Sequence, residues 1–318
     1  MSQTRANCFA RVPVVFRLAL VLTVMLSYAL PARAEPERIG IMSGGVTGTY
    51  VRIAQNMADA LDSNDLRLIT MLGRGSRQNI KDLIELDGVD LAIVQSDVLR
   101  EVARTNEIPG AVQSIRYITK LYNEEIHVLV RSDVSSIKYL EGAAIAVGRQ
   151  GSGTEMTASI LFEGLGIQFD PVNVDGKEAI DALADGLISA AVFVVGKPSS
   201  LLTALEDPQR FRLIDVRLPK SVEFPYFDVT LDHDDYPALI PPGERVSTVA
   251  VGAILAAFNW RVGSRRYSLL ERFTNELFSS IELLRSGPYH PKWKGVDLKT
   301  QVPGWTRFQP AQDWLAKN

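Results

Sequence analysis

The chain has 318 residues, 46% of them hydrophobic, with a formal net charge of −3 and a single cysteine. That is enough apolar material to core one large or two ordinary domains. The mildly acidic balance leaves no electrostatic reason to bind nucleic acid, and one cysteine excludes a disulfide within the chain and a cysteine-built metal site.

The first segment reads as an address. Arg5, Arg11 and Arg17 lead into an apolar run over residues 18–30, which ends at Ala32-Arg33-Ala34. A basic start, a short apolar run and a small-x-small site are the parts of a bacterial export signal, expected to be cut after Ala34 and to deliver the protein to the periplasm. The run is shorter than the roughly 20 residues a membrane-spanning helix needs. Cys8 would leave with this segment, and so would four arginines and no acid, taking the formal charge from −3 to −7.

From residue 35 to about 217, short apolar runs alternate with amphipathic stretches. The expected strands are 38–42, 66–71, 90–94, 116–121, 126–130, 143–147, 190–194 and 211–216. Several are unbroken apolar runs, as parallel strands covered on both faces require. Tyr50, Ile53, Ala54, Met57 and Leu61 form one helical stripe, and Ala158, Leu161, Phe162 and Leu165 form another. The alternation predicts an α/β sheet with ligands held at the C-terminal ends of the strands.

The first strand runs into Ser43-Gly44-Gly45-Val46-Thr47-Gly48-Thr49-Tyr50. Glycines let backbone N–H groups approach a ligand, and a helix N-terminus adds free donors and partial positive charge. Thr47, Thr49 and Tyr50 supply hydroxyls. No Gly-Lys-Ser/Thr follows, so this is not a nucleotide P-loop, and the loop does not match G-x-G-x-x-G with an acid some twenty positions on, so a dinucleotide site is not expected. Taken alone, an ordinary strand–helix turn with a threonine cap would explain it.

After the second strand comes Gly73-Arg74-Gly75-Ser76-Arg77-Gln78-Asn79, where Ser76 and Asn79 read either as further donors at the same sheet edge or as a helix cap with solvated arginines. Gln95-Ser96-Asp97 ends the third strand, suited to a polar ligand or to N-capping. At Tyr122-Asn123-Glu124 an aromatic ring is placed to wall a ligand, and Glu124 reads as a partner for an ammonium group or, more simply, as a surface acid.

A hundred residues on, the first loop is repeated. Ala144-Ile145-Ala146-Val147-Gly148-Arg149-Gln150-Gly151-Ser152-Gly153-Thr154 is again an apolar strand, a glycine turn and a helix opening at Gly-Thr. Two such elements predict two lobes that aim helix N-termini at one small anion. The expected division is lobe I at 35–124 plus about 232–287, and lobe II at 125–231, with crossovers at 126–130 and at 226–231 or 247–256. That is a hinge able to close on ligand. A long helix is expected over 264–284, and a tail from 288 to 318, with a short helix at 309–317, is expected to pack on the lobes through Trp293, Trp305 and Trp314.

Candidates for catalysis are few. His127, His233 and His290 have no metal-ligand spacing, Asp232-His233-Asp234-Asp235 reads as a solvated acidic loop, and Gly151-Ser152-Gly153 lacks the hydrolase elbow. Neither a cofactor nor a metal nor enzymatic activity is expected.

The 44–50 loop, Gly75-Ser76 with Asn79, Asp90-Leu91-Ala92-Ile93-Val94-Gln95-Ser96, Leu121-Tyr122-Asn123-Glu124 and Gly151-Ser152-Gly153-Thr154 resemble, in order and spacing, the motifs of the TAXI family of solute receptors for TRAP (tripartite ATP-independent periplasmic) transporters. The likeness continues through Phe193, Gly196-Lys197-Pro198 and Ser247-Thr248-Val249-Ala250-Val251-Gly252, covering roughly 38–285. It implies a type II periplasmic-binding-protein fold of two α/β lobes. It also implies capture of a small carboxylate, glutamate-like or dicarboxylic, and delivery to a TRAP-type permease; a monomer is expected. Carried over by position, the ligand-binding residues are Gly45, Thr49, Tyr50, Ser76, Asn79, Gln95, Ser96, Tyr122, Ser152, Gly153 and Thr154. The chain departs from the family pattern at Arg74, Arg77, Gln78, Asn123 and Arg149-Gln150. Arg149 sits on the second loop, where a guanidinium suits a carboxylate, and joins the expected binding set. An ABC-type receptor for a phosphate- or sulfonate-like anion, a sensory receptor and an enzyme on the same fold remain alternatives.

Overall fold

The structure, a computed structural model, describes residues 36–46, 48–62, 65–219 and 226–318. The export signal expected over residues 1–34, and Thr47, lie outside the described residues. Every strand described belongs to one mixed sheet, with the order β2-β1-β3-β10-β4-β7-β5-β6 and with β8 paired to β4 and β9 to β10.

The first group is β1 (Glu37–Met42), β2 (Leu66–Met71) and β3 (Leu91–Gln95), each followed by a helix: α1 (Thr49–Leu61), α2 (Ser76–Glu85) and α3 (Ser96–Thr105). The second is β5 (Ala143–Ala146), β6 (Phe169–Val172) and β7 (Ala190–Val195), with α4 (Gly153–Leu165) and α5 (Gly176–Ala184) between them. Within each group the strands are parallel. The expected stripe on α1 is buried, and β3, apolar but for its last residue, is covered on both faces. Each large aliphatic side chain so buried contributes about 1.5–3 kcal/mol.

Two long strands join the groups. β4 (Ile115–Arg131) pairs with β10 (Arg245–Phe258) along its first part and with β7 along its last, and Glu125 faces both Ala250 and Val195. β10 runs the other way, from β9 (Phe227–Asp232) to β3. The fold is therefore α/β, of the type II periplasmic-binding-protein kind expected from the sequence.

Local differences have local causes. The strands expected at 116–121 and 126–130 are one, because the polar stretch between them is buried: Glu124 and Glu125 are each 4% exposed. β6 escaped notice because it is short and carries Pro171, which an edge strand tolerates. The strand expected at 211–216 is only β8 (Phe211–Leu213). The helix expected over 264–284 breaks at Ser280 into α6 (Arg265–Ser279) and α7 (Ile281–Ser286), whose buried residues include Leu270, Phe273, Leu277, Ile281 and Leu284. Beyond it, Trp293 is buried in the core against α1 and its Nε1–H donates to Asn56 Oδ1 at 3.2 Å. Trp314, on α8 (Gln309–Lys317), meets Phe278 edge-on at 5.3 Å.

Candidate functional site

The C-terminal ends of β1, β3, β5 and β7 converge on a cavity of about 150 Å³. Gly48, Thr49 and Tyr50 come from the first glycine turn, and Gly148, Arg149, Ser152, Gly153 and Thr154 from the second. Arg74, Gly75, Ser76, Gln95, Glu124 and the end of β7 from Val192 to Val195 complete the wall. The two sequence copies thus face one crevice.

Helix starts dominate this crevice. α1 and α2 begin after Gly48 and Gly75 with no side-chain cap, so no side chain of the cap residue takes up their first N–H groups. Ser76 is the first residue of α2 and not its cap. Its Oγ accepts from Gln95 N–H at 2.9 Å and donates to Gln95 Oε1 at 3.1 Å, fixing the end of β3 against α2. α4 is capped: Ser152 Oγ accepts from Glu155 N–H at 3.1 Å, and Glu155 Oε2 accepts from Gly151 N–H at 2.7 Å. This reciprocal arrangement holds the second turn rigid.

The two sides touch. Gln78 N–H donates to Gly151 C=O at 3.1 Å. Gly75 sits at φ 119°, and a Cβ there would lie 3.1 Å from Gly153 N. A Cβ on Gly153 would lie 1.6 Å from Gln95 Oε1. At Gly75 the positive φ and the backbone of Gly153 beside it favour glycine, and at Gly153 the absence of a side chain leaves room for those of Gln95 and Ser76. Behind them, Thr157 Oγ1 of α4 donates to Asp97 Oδ2 of α3 at 2.6 Å, and Tyr226 O–H donates to the same oxygen at 3.2 Å. Burial pushes the Asp97 carboxyl up to about 6.

Eight of the twelve residues expected to bind ligand line this cavity: Thr49, Tyr50, Ser76, Gln95, Arg149, Ser152, Gly153 and Thr154. Four do not. Gly45 is exposed and closes the first turn by accepting from Gly48 N–H at 2.9 Å. Asn79 is buried behind the wall, its Nδ2 donating to Ser43 C=O and Ile93 C=O at 2.7 and 2.9 Å. Ser96 Oγ is turned to the sheet, accepting from Gly252 N–H at 3.1 Å. Tyr122 is buried beside a second cavity, bounded by Lys120, Asn123, Lys292 and Asp297. These four stand outside the lining of this cavity, and motif position alone does not separate a lining residue from a neighbour.

Arg149 lines the mouth, where its Nε pairs with Asp175 Oδ2 at 3.0 Å, and both side chains are largely solvated. Arg74, exposed, stands on the other side of the mouth. Glu124 corrects the surface-acid reading. It is buried, it lines the cavity, and Tyr50 O–H donates to its Oε2 at 2.7 Å. Burial raises its carboxyl to about 8, and burial likewise raises the Tyr50 phenol. The available signal was a short polar stretch, Asn123-Glu124-Glu125, set between two apolar strand segments.

Among the described residues no group of three or more His, Cys, Asp or Glu is arranged to hold a metal ion. The Asp232–Asp235 turn is bound within itself, Asp232 Oδ1 accepting from Asp234 N–H, and Asp235 is paired with Lys197 at 2.7 Å. His127 is buried, its Nε2 2.7 Å from Tyr236 Oη, and burial lowers it to about 4, so it is neutral.

An α/β fold with one polar crevice between facing helix starts defines a class of two-sided α/β proteins built around a cleft. Within it, this chain belongs to the NMT1-like family, whose model matches residues 41–261. Similar solved structures include a putative sulfonate ABC transporter's periplasmic sulfonate-binding protein, SsuA, from Methylobacillus flagellatus KT. It is 13% identical, with a TM-score of 0.48, over 79% of this chain and 70% of that one. A TctC solute-binding protein from Polaromonas is 14% identical, with a TM-score of 0.46, over 90% of this chain and 89% of that one. The GluR0 ligand-binding core from Nostoc punctiforme, in complex with L-glutamate, is 15% identical, with a TM-score of 0.46, over 79% and 98%.

Proposed function

We propose that this chain is an exported solute receptor that encloses a small carboxylate between two lobes and passes it to a TRAP-type membrane permease. The observation that carries the reading is the single crevice shared by the two glycine turns, with α1 and α2 starting uncapped at its edge. Lobe I is 35–124 plus about 232–287, lobe II is 125–231, and the 288–318 segment packs on them. Thr49, Ser76, Gln95, Ser152, Gly153 and Thr154 hold the solute, and Arg149 guards the mouth. No residue is assigned a catalytic role.

The energetics are adequate. Micromolar affinity needs about 8 kcal/mol. Three or four charge-assisted hydrogen bonds at roughly 1.5–3 kcal/mol each reach that range after the entropy of association is offset. Donors come from both lobes, so the solute favours the closed form and shifts the hinge equilibrium toward it. The TRAP assignment rests on the series of TAXI-like motifs from residue 38 to 285.

Titration calorimetry against dicarboxylates and amino acids tests the binding step. Micromolar binding that Ser152→Ala weakens at least tenfold is the expected result, and no binding across the panel overturns it. Uptake into vesicles bearing the cognate permease tests the second step. Dependence on an ion gradient supports a TRAP partner, and dependence on ATP hydrolysis replaces it with an ABC permease.

A further inference from the structure

Two neighbouring acids on β4 have opposite surroundings. Glu125 is matched: Lys292 Nζ lies 2.8 and 2.9 Å from its two carboxylate oxygens, and Lys197 N–H donates to Oε2 at 2.6 Å. Glu124 leaves the other face of the strand and enters the cleft wall. Tyr50 O–H donates to it, and no cation of the described residues lies within ion-pair distance. A buried carboxylate without a positive partner is costly, whereas a ligand cation would remove that cost. The rest of the cavity has the reverse demand, with the uncapped starts of α1 and α2 along its edge and, at the mouth, Arg74 and Arg149, the latter paired with Asp175.

Resting on the receptor reading above, we propose that Glu124 is a specificity-determining residue that receives a cationic nitrogen of the solute. The solute's carboxylate then lies toward the helix starts and the two arginines. The preferred solute is a zwitterion, an amino-bearing carboxylic acid, and not a simple dicarboxylate.

A proton signature follows. In the empty cleft Glu124 is held near 8, chiefly by burial. The hydrogen bond from Tyr50 O–H acts against burial and lowers it, the charges of Asp97 and Glu125 raise it further, and Lys292 lowers it; the Tyr122 phenol is buried beside it. At pH 7 the empty site therefore carries a carboxylic acid. When an ammonium group arrives, the Glu124 O–H bond breaks and its proton passes to buffer, the ammonium keeps its own protons, and the carboxylate accepts a hydrogen bond from nitrogen. Binding of a zwitterion releases close to ~1 proton, whereas a dicarboxylate leaves the acid protonated.

The test is calorimetry of the full receptor at pH 7 in two buffers of different ionisation enthalpy. The probes are amino acids paired with their amine-free counterparts, such as glutamate with glutarate and aspartate with succinate. The expected result is a preference of about 10- to 100-fold for the amine-bearing member, with proton release. Glu124→Gln should shrink that preference to less than about threefold and abolish the release, because a neutral amide cannot ionise. Equal affinity within pairs, or binding without proton release, overturns the role of Glu124 while leaving the receptor intact. Silence across every pair overturns both. The proton count is read on the unaltered protein, so it stands even where the variant folds poorly.

Discussion

Glu124 also leaves a mark on the unliganded chain. Its carboxyl is raised from the usual 4.5 to about 8, so the folded protein holds a proton that the unfolded chain gives up. Stability contributed by that proton is present below 4.5 and is lost as pH rises toward 8, at about 1.4 kcal/mol per pH unit. Asp97, at about 6, contributes below that value, and His127, at about 4 folded against 6.5 unfolded, acts with the opposite sign until the pH is above about 7. Urea melts between pH 7 and 8 therefore report chiefly on Glu124. The ligand-free protein should lose stability across this window, and Glu124→Gln should flatten the slope; parallel slopes would remove the buried-acid assignment. At this scale the sequence was readable in part. Ser152, Gly153 and Thr154 announced themselves by repeating Gly48 and Thr49 in a second loop, but nothing local separates Ser76, which faces the crevice, from Ser96, which faces the sheet. Both are serines that open a helix following a strand. Only the neighbours each hydroxyl meets, Gln95 for one and Gly252 for the other, decide the matter, and those come from distant chain.

Elements were easier to read than their meeting points. Apolar periodicity marked nearly every strand and helix because burial imposes it, and it failed where burial was polar: Asn123, Glu124 and Glu125 interrupt the hydrophobic pattern of β4 without interrupting the strand. The helix starts meet the opposite side through glycine. Gly153 opens α4 where any Cβ would stand 1.6 Å from Gln95 Oε1 and 2.8 Å from Ser76 Oγ. Gly153→Ala should leave the helix content intact, since alanine suits a first helical turn, and should hinder closure. Forcing those side chains aside costs about 1–3 kcal/mol, a loss of about 10- to 100-fold in solute affinity. Circular dichroism and calorimetry read the two effects separately, and Gln95→Ala added to Gly153→Ala should recover part of the loss. Unchanged affinity in the single variant would mean that the crevice does not work by backbone approach.

Across the whole molecule, the segment after α7 reaches back to the junction of the two strand groups. Lys292 Nζ accounts for Glu125 and also donates to Asn123 C=O at 3.0 Å, while Lys197, at the end of β7, donates its backbone N–H to the same acid. The C-terminal segment is thus part of the junction and not an appendage. Lys292→Met keeps the aliphatic stem and removes the charge, leaving a buried carboxylate unmatched, which costs about 3–5 kcal/mol. The urea midpoint should fall accordingly and recover largely in the Lys292→Met, Glu125→Gln double variant. A small effect in the single variant would show the pair to be solvated. This feature was invisible in the chain because Lys292 and Glu125 are 167 residues apart.

β4 and β10 are hydrogen-bonded neighbours along their shared length, with Gly252 opposite Asn123 and Ala250 opposite Glu125. Two independent tethers would let the halves twist, slide and tilt freely. A two-ply ribbon does not: its ladder resists shear in the plane of the sheet and yields most easily by flexing across it, where Gly252 offers the least side-chain resistance. In the receptor proposed above, motion of the halves would thereby be reduced to about one angular coordinate, like the covers of a book on a cloth spine. A membrane partner of such a receptor would need only one measurement to tell a filled form from an empty one.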